Sequence, residues 1–273
     1  MVRSGRGTGS FGVLAGSFLW LAGASMASAQ MYGTGYTGTA GPTTFYTINP
    51  TTGVATPVGQ VGFNRCGGMD VGPGNVVFAT CETAAAVPVL ITINPATGAG
   101  TQVGPTGITG AVSDISFRGD GVLFAYDASN DPTHTLFRLD TATGASTLVG
   151  DTGLSTAPGN AMSFDLGGTL FHSQTDGPPD PELNTLNQTT GQATFVVQLP
   201  IPGGCAGSCR FAAMDADPVT GQMVGLLNDG ARRLATINTV TGALTIIGPT
   251  AGDLDAIAFS VFVPVELQGF SVE

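Results

Sequence analysis

One phrase recurs along this chain and limits its fold more than any other feature. "YTINPTTGVATPVG" (46–59) returns as "ITINPATGAGTQVG" (91–104), "FRLDTATGASTLVG" (137–150), "NTLNQTTGQATFVV" (184–197) and "ATINTVTGALTIIG" (235–248). The turn glycines Gly53, Gly98, Gly144, Gly191 and Gly242 are 45, 46, 47 and 51 residues apart. Each follows a Thr and stands four residues after an Asn or Asp. An Asx side chain at that offset accepts a backbone N–H inside the turn, and glycine takes the left-handed conformation that closes it. The phrase is therefore expected to be a hairpin of two short strands.

A second hairpin precedes the first in each unit, as in "SDISFRGDGVLFAYD" (113–127), "AMSFDLGGTLFHS" (161–173) and "AAMDADPVTGQMVGLL" (212–227). Each unit then holds four short antiparallel strands in about 45 residues, without helical periodicity. Sheets of four strands at that period predict an all-β fold, a five-bladed β-propeller. The ends complete the count. "MYGTGYTG" (31–38) matches the second strand of a unit that lacks its first, and "LDAIAFSVF" (254–262) matches the missing strand. Pairing the two closes the ring and leaves no open sheet edge.

The motif Y-x-I-[ND]-x-x-T-G-x-x-T-x-[VI]-G resembles repeats of secreted bacterial β-propeller proteins. The resemblance covers residues 31–263 and implies fold and location, but no catalytic residues. The fourth copy departs from it, with "FVVQL" in place of the Val-Gly or Ile-Gly step.

The first residues read as an export signal. Arg3 and Arg6 precede the apolar "FGVLAGSFLWL" (11–21), and Ala27-Ser28-Ala29 forms a small-x-small cleavage site. The reading divides the chain into a signal peptide (1–29), a propeller domain (30–264) and a short tail (265–273). It sends the protein to the periplasm, cell surface or exterior. No later stretch reaches the roughly 20 apolar residues of a membrane helix. Removing residues 1–29 takes two arginines and leaves six against nineteen acids, a net charge of −13 without any lysine. Such a chain repels phosphate backbones, which excludes nucleic acid as a partner.

Four cysteines in an exported chain read as two disulfides. The "GPGN" turn midway between Cys66 and Cys81 sets them opposite one another, and Cys205 and Cys209 close the small "CAGSC" loop. Metal binding is the rival reading, but neither pair has a histidine close by in sequence.

Chemical motifs are sparse. G-x-G-x-x-G at 7–12 and 33–38 lacks the strand-to-helix setting a dinucleotide site needs. Arg118-Gly119-Asp120 falls on an expected turn, and the Asn187 sequon has no role in a chain of bacterial character. His134 and His172 are the only histidines; they lie in corresponding parts of neighbouring units and read as solvated loop residues. Asp70, Asp114, Asp215 and Asp255 are candidates to line the channel, where paired carboxylates would serve a glycosidase-like hydrolase or lyase, with or without a divalent cation. The sole Trp, Trp20, leaves with the signal, so little remains for sugar stacking. No catalytic residue is assigned.

The turns inside hairpins are tight and share one face, whereas the long connections emerge at the other: "TGYTGTAGPTT" (34–44), "DASNDPTHT" (127–135), "QTDGPPDPE" (174–182) and "LPIPGGCAGSC" (199–209). Binding residues concentrate on irregular loops held by a rigid scaffold. The long-loop face, with Asp127, Asp131, His134, His172, Asp176 and Asp180, is thus the expected site for an unidentified protein or small-molecule partner. The oxygens of its two acidic loops suit a hard cation such as Ca²⁺. The expectation is a binding or structural module, with the hydrolase as its alternative.

Overall fold

The computed structural model describes Met1 and residues 29–38, 41–127, 134–154, 161–174, 180–205 and 209–261. The export signal, save Met1 and Ala29, and the C-terminal tail lie outside them. Among the described residues the secondary structure is β-strand, apart from one 3₁₀ turn at Pro73–Asn75.

Strands β1 (Ala29–Tyr36), β2 (Pro42–Ile48), β3 (Ala55–Gly72), β4 (Val76–Glu82), β5 (Pro88–Ile93) and β6 (Gly100–Pro105) follow one another in a single sheet. Three four-stranded antiparallel sheets come next. The first holds β7 (Val112–Phe117), β8 (Leu123–Asp127), β9 (Thr135–Leu139) and β10 (Ser146–Asp151). The second holds β11 (Ala161–Phe164), β12 (Leu170–Gln174), β13 (Glu182–Leu186) and β14 (Ala193–Gln198). The third holds β15 (Arg210–Ala216), β16 (Met223–Asn228), β17 (Arg232–Ile237) and β18 (Leu244–Pro249). The chain then returns to the first sheet, where β19 (Leu254–Val261) pairs antiparallel with β1, Gly33 opposite Ile257.

The first sheet has seven strands because β3 serves twice. Its first half pairs with β2, Ile48 opposite Ala55, and its second half with β4, Val71 opposite Val77. A quartet β19-β1-β2-β3 thus runs into a quartet β3-β4-β5-β6 through one continuous strand. Burial falls from the first strand of a quartet to the last: β11 is buried throughout, while β10 and β14 contain no fully buried residue. The first strands of successive quartets pack side by side, β3 on β7, β7 on β11, β11 on β15, β15 on β19 and β19 on β3. This is a β-propeller, with sheets set radially around a central channel.

Apolar clusters fill the wedges between neighbouring quartets. Phe78 and Leu90 meet Ile115 and Leu123. Phe124, Tyr126 and Leu136 meet Met162, Phe164 and Leu170. On the closing side, Val224 and Leu226 meet Met31, Leu254 and Ile257. Each side chain of this size contributes roughly 1.5–3 kcal/mol on burial, so the wedges, more than the short ladders, hold the sheets together.

The recurring phrase now has a physical account. Asn49, Asn94, Asp140, Asn187 and Asn238 each accept one or two backbone N–H groups of their own turn at 2.8–3.2 Å. The N–H of each turn glycine reaches the carbonyl of that Asx residue at 2.7–2.8 Å. The second conserved step, Val-Gly or Ile-Gly, serves contact between sheets. A Cβ on Gly59 would stand 2.1 Å from the Thr97 carbonyl oxygen, one on Gly104 2.0 Å from Thr143, and one on Gly150 2.1 Å from Thr190. Gly248 meets Thr52 in the same way at 2.2 Å, so the last repeat abuts the first. In the divergent fourth copy the Gln198 carbonyl takes that place, against Gly242.

Both expected disulfides are present, Cys66–Cys81 with Cα atoms 3.9 Å apart and Cys205–Cys209 with Cα atoms 5.8 Å apart. The glycine-rich stretch at 33–38 lies mostly in β1, between β19 and β2, and leads into another strand rather than a helix.

Candidate functional site

The first strands of the quartets share a short register at the channel: Met69-Asp70-Val71, Ile115-Ser116-Phe117, Met162-Ser163-Phe164, Met214-Asp215-Ala216 and Ile257-Ala258-Phe259. At three of the five middle positions the side chain fastens the backbone of the next quartet. Asp70 Oδ2 accepts the Phe117 N–H at 2.5 Å, Ser116 Oγ the Phe164 N–H at 3.0 Å and Asp215 Oδ2 the Phe259 N–H at 2.6 Å. Their other oxygens are engaged locally, Asp70 Oδ1 by the Val71 N–H and Asp215 Oδ1 by the Ala216 N–H and the Ser163 hydroxyl. Asp114, two residues before Ser116, accepts the Met162 and Ile115 N–H groups.

These three carboxyls are buried, and burial penalises their charge. It pushes Asp70 up to about 7, against the lowering pull of the Phe117 and Val71 N–H groups. Burial also holds Asp114 and Asp215 well above the usual carboxylate range, and Asp70 adds repulsion to both. Asp70, Asp114 and Asp215, three of the four aspartates expected at the channel, therefore lie close enough to repel one another. The fourth, Asp255, does not join them: its oxygens take Tyr36 OH at 2.8 Å and Arg232 Nη2 at 3.2 Å. Burial first, and then Asp255, raise the Tyr36 hydroxyl to about 12.

A cavity of about 480 Å³ opens where the tight turns surround the channel mouth. Asp70 and Asp215 form part of its wall, with Ser116, Arg118, Asp120 and Asp165 among the other lining residues. The Arg-Gly-Asp tripeptide is folded on itself here: Arg118 Nε and Nη2 hold Asp120 at 2.9 and 2.8 Å, and Arg118 Nη1 reaches Gln188. Both of its charges are thereby paired within the turn. A larger cavity of about 590 Å³ adjoins it, sharing Asp165 and lined by Thr220, Gln222, Thr236 and Asn238 among others. Sequence reasoning places function on the long-loop face; this cavity lies on the tight-turn face, where Arg118 reads only as part of a turn and Ser116 and Asp165 are not among the candidates. The five-way register around Asp70 and Asp215 was the signal that could have found them.

On the long-loop side, Asp131 and Asp176 lie outside the described residues. Asp127 is buried, and Asp180 Oδ1 accepts the Ile201 N–H at 3.1 Å, anchoring the chain ahead of the Cys205–Cys209 loop. The histidines require a correction. They are not solvated: His134 is 2% exposed and His172 is fully buried. The physical reason is Tyr126 of β8, whose hydroxyl meets His134 Nδ1 at 2.8 Å while its ring packs on His172 of the next sheet, centroids 4.1 Å apart. The two do gather in one place, as their corresponding positions suggested. Among the described residues, neither ring nitrogen of His172 has a hydrogen-bond partner.

Burial, with His134 nearby, drives the His172 pKa down to about 3. The imidazole is neutral when folded and gains a proton near pH 6.5 when unfolded. Its contribution is complete above pH 6.5 and lost as the pH falls from 6.5 towards 3, about 2 kcal/mol by pH 5. Asp70, Asp114 and Asp215 act oppositely, with stability complete below about pH 4 and lost as the pH rises through their elevated folded values. His172→Phe should therefore lose less stability than the parent between pH 7 and 5 in chemical denaturation. Equal losses would mean that His172 titrates normally in the fold.

No family model and no curated protein matches the chain. Solved structures do resemble it in fold. A structural-genomics protein of unknown function from Bacteroides thetaiotaomicron is 17% identical with a TM-score of 0.54, covering 85% of this chain and 60% of its own. A gluconolactonase from Xanthomonas campestris is 13% identical with a TM-score of 0.50, covering 84% and 79%. TolB from Acinetobacter baumannii is 13% identical with a TM-score of 0.49, covering 80% and 51%. This chain thus spans 51% and 60% of the TolB and Bacteroides chains. The likeness is one of fold, and fold and site together define a β-propeller with a cavity at its channel mouth.

Among the described residues no helix is long and apolar enough to cross a membrane. The same residues contain no group of three or more His, Cys, Asp or Glu side chains arranged to hold a metal ion.

Proposed function

We propose that the protein is an exported five-bladed β-propeller that acts as a binding module and takes its ligand at the channel mouth on the tight-turn face. The quartet count supports five blades once β3 is allotted to two of them, as does the abutment of Gly248 on Thr52. Export to the periplasm, cell surface or exterior is supported by two disulfides, which persist in oxidising compartments.

The observation that carries the binding reading is the cavity wall. Asp70 and Asp215 are each committed through both oxygens, one to the N–H of the following residue and one to an N–H of the adjoining blade. They make a fixed polar surface in the channel rather than a mobile acid and base. The test is hydrogen-exchange mapping against peptide, glycan and small-molecule libraries. Ligands should protect 116–120, 165–168 and 215–218; protection confined to the flanks of the long loops, around Asp127 and Asp180, would refute the site.

A hydrolase reading is favoured by one observation, the elevated pKa of Asp70 and Asp215 in the same cavity. A carboxyl that stays protonated near neutrality can act as a general acid. Turnover of aryl glycosides or lactones that disappears in Asp215→Asn would establish it. Its absence from the parent chain would end it.

A further inference from the structure

We infer that the ligand is an extended basic peptide segment, lying from the channel mouth across the turns of the fourth and fifth blades; this rests on the binding reading above. The first observation is shape. The mouth cavity and its neighbour meet at Asp165, which lines both, and continue along the Pro218–Met223 and Thr236–Val240 segments. Together they form a path from the axis towards the outer edge, and a compact metabolite would fill only one part of it. A peptide in extended form rises about 3.3 Å per residue and can occupy both parts.

The second observation is charge. Asp120 and Asp165 line the path above the deeper Asp70 and Asp215, and Arg118 is the sole cation among the residues lining the two cavities. That arginine is already paired to Asp120. The remaining ion-paired arginines, Arg65, Arg232 and Arg233, belong to Glu82, Asp255 and Asp229, none of which lines either cavity. A cationic side chain entering this path meets the Asp165 carboxylate, which accepts the Thr169 N–H and lines both cavities, with Arg118 as the one competing positive charge among the lining residues. The strongly acidic chain also steers cations towards it from a distance.

The third observation selects peptide over glycan. Leu166, Val219 and Val240 stand 63%, 49% and 82% exposed beside the path. Aliphatic ridges suit the methylene stems of Lys and Arg. Of the rings lining the mouth, Phe164 and Phe259 are 6% and 5% exposed, and Phe117 is partly exposed and packs on Phe78 with centroids 5.4 Å apart. No ring lines the second cavity, so the length of the path has no aromatic surface for stacking sugars. The second cavity is lined by Thr220, Gln222, Thr236 and Asn238. Asn238 Oδ1, Gln222 Nε2 and Thr220 Oγ1 bond within their own blade, and the other hydroxyl and amide atoms of this set match peptide N–H and C=O groups.

The test is fluorescence polarisation of the full chain with three labelled probes: an eight-residue peptide alternating Lys and Leu, its Glu counterpart, and a chitosan oligomer. The Lys peptide should bind at least ten-fold more tightly than the other two. Asp165→Asn should weaken it at least five-fold, and raising salt from 50 to 500 mM should weaken it further. Asp151→Asn, at an exposed outer-strand carboxylate away from both cavities, should leave it unchanged. Tighter chitosan binding would overturn the peptide assignment and leave the mouth site standing, provided that Gly119→Trp, at a lining position where nothing lies within 4 Å of an added Cβ, abolishes it. Lys-peptide binding that survives both Asp165→Asn and Gly119→Trp would overturn the inference together with the mouth site. No binding by any probe would also overturn the inference, and the library mapping would then decide the mouth site by itself.

Discussion

A chain ending at Gly252 should fail to give a cooperative thermal transition and should aggregate or be digested rapidly by protease. It lacks β19, which supplies Leu254, Ala256, Ile257 and Ala258, all fully buried, to clusters on both sides of the closing blade. It also lacks the Phe259 N–H that Asp215 accepts, and so leaves a buried carboxyl short of a partner. Loss of Leu254, Ile257 and Phe259 alone removes on the order of 5 kcal/mol of burial. A domain's entire stability is about 5–15 kcal/mol. The exposed β1 edge then presents unpaired backbone groups. A chain ending at Pro264 keeps all of β19 and should melt within a degree or two of the parent. A Gly252-terminated chain that stays monomeric and melts like the parent would disprove ring closure through β19.

The second large effect is expected from one methyl group. Gly248→Ala places a Cβ 2.2 Å from the Thr52 carbonyl oxygen, where backbone on both sides must move. Overpacking of this kind costs about 1–3 kcal/mol and more where neither side yields; here the opposing atom is backbone, so the upper part of that range is expected. Gly119→Ala is the control, because nothing lies within 4 Å of its added Cβ and its φ is not left-handed. Equilibrium denaturation in urea should separate the two variants by about 2 kcal/mol or more. Indistinguishable midpoints would show that the repeats do not bear on one another at that step.

The fold was legible because its signal is repeated and local. Asn49 to Gly53 and its counterparts specify turn geometry within five residues, and copies at near-constant spacing leave few architectures open. The Cys66–Cys81 pairing was legible for the same reason, since the turn between them is local. The site was less legible because contacts between blades make it. The paired role of Asp70 and Asp215 depends on N–H groups of Phe117 and Phe259, 47 and 44 residues away. His172 looked solvated because its loop is polar, and only Tyr126 of the neighbouring sheet explains its burial. The cavity opens on the tight-turn face because the short turns around 118–120, 165–168 and 216–218 converge beside Asp70 and Phe259, and loop length carries no information about that convergence.

The contact of each Thr-Gly turn on the preceding outer strand has a consequence for how such a protein can change over time. In an open stack of repeats, a duplicated unit docks on its neighbours and leaves their mutual angle intact. Here the angle between neighbours is fixed by carbonyls lying against glycines, and the last unit must meet the first. An additional copy would force every junction to open or close by the same small amount, and glycine-to-carbonyl contacts near their steric limit offer little room for it. Single substitutions within a blade remain open to variation, as the divergent fourth copy illustrates, whereas the number of blades is held by all the junctions at once.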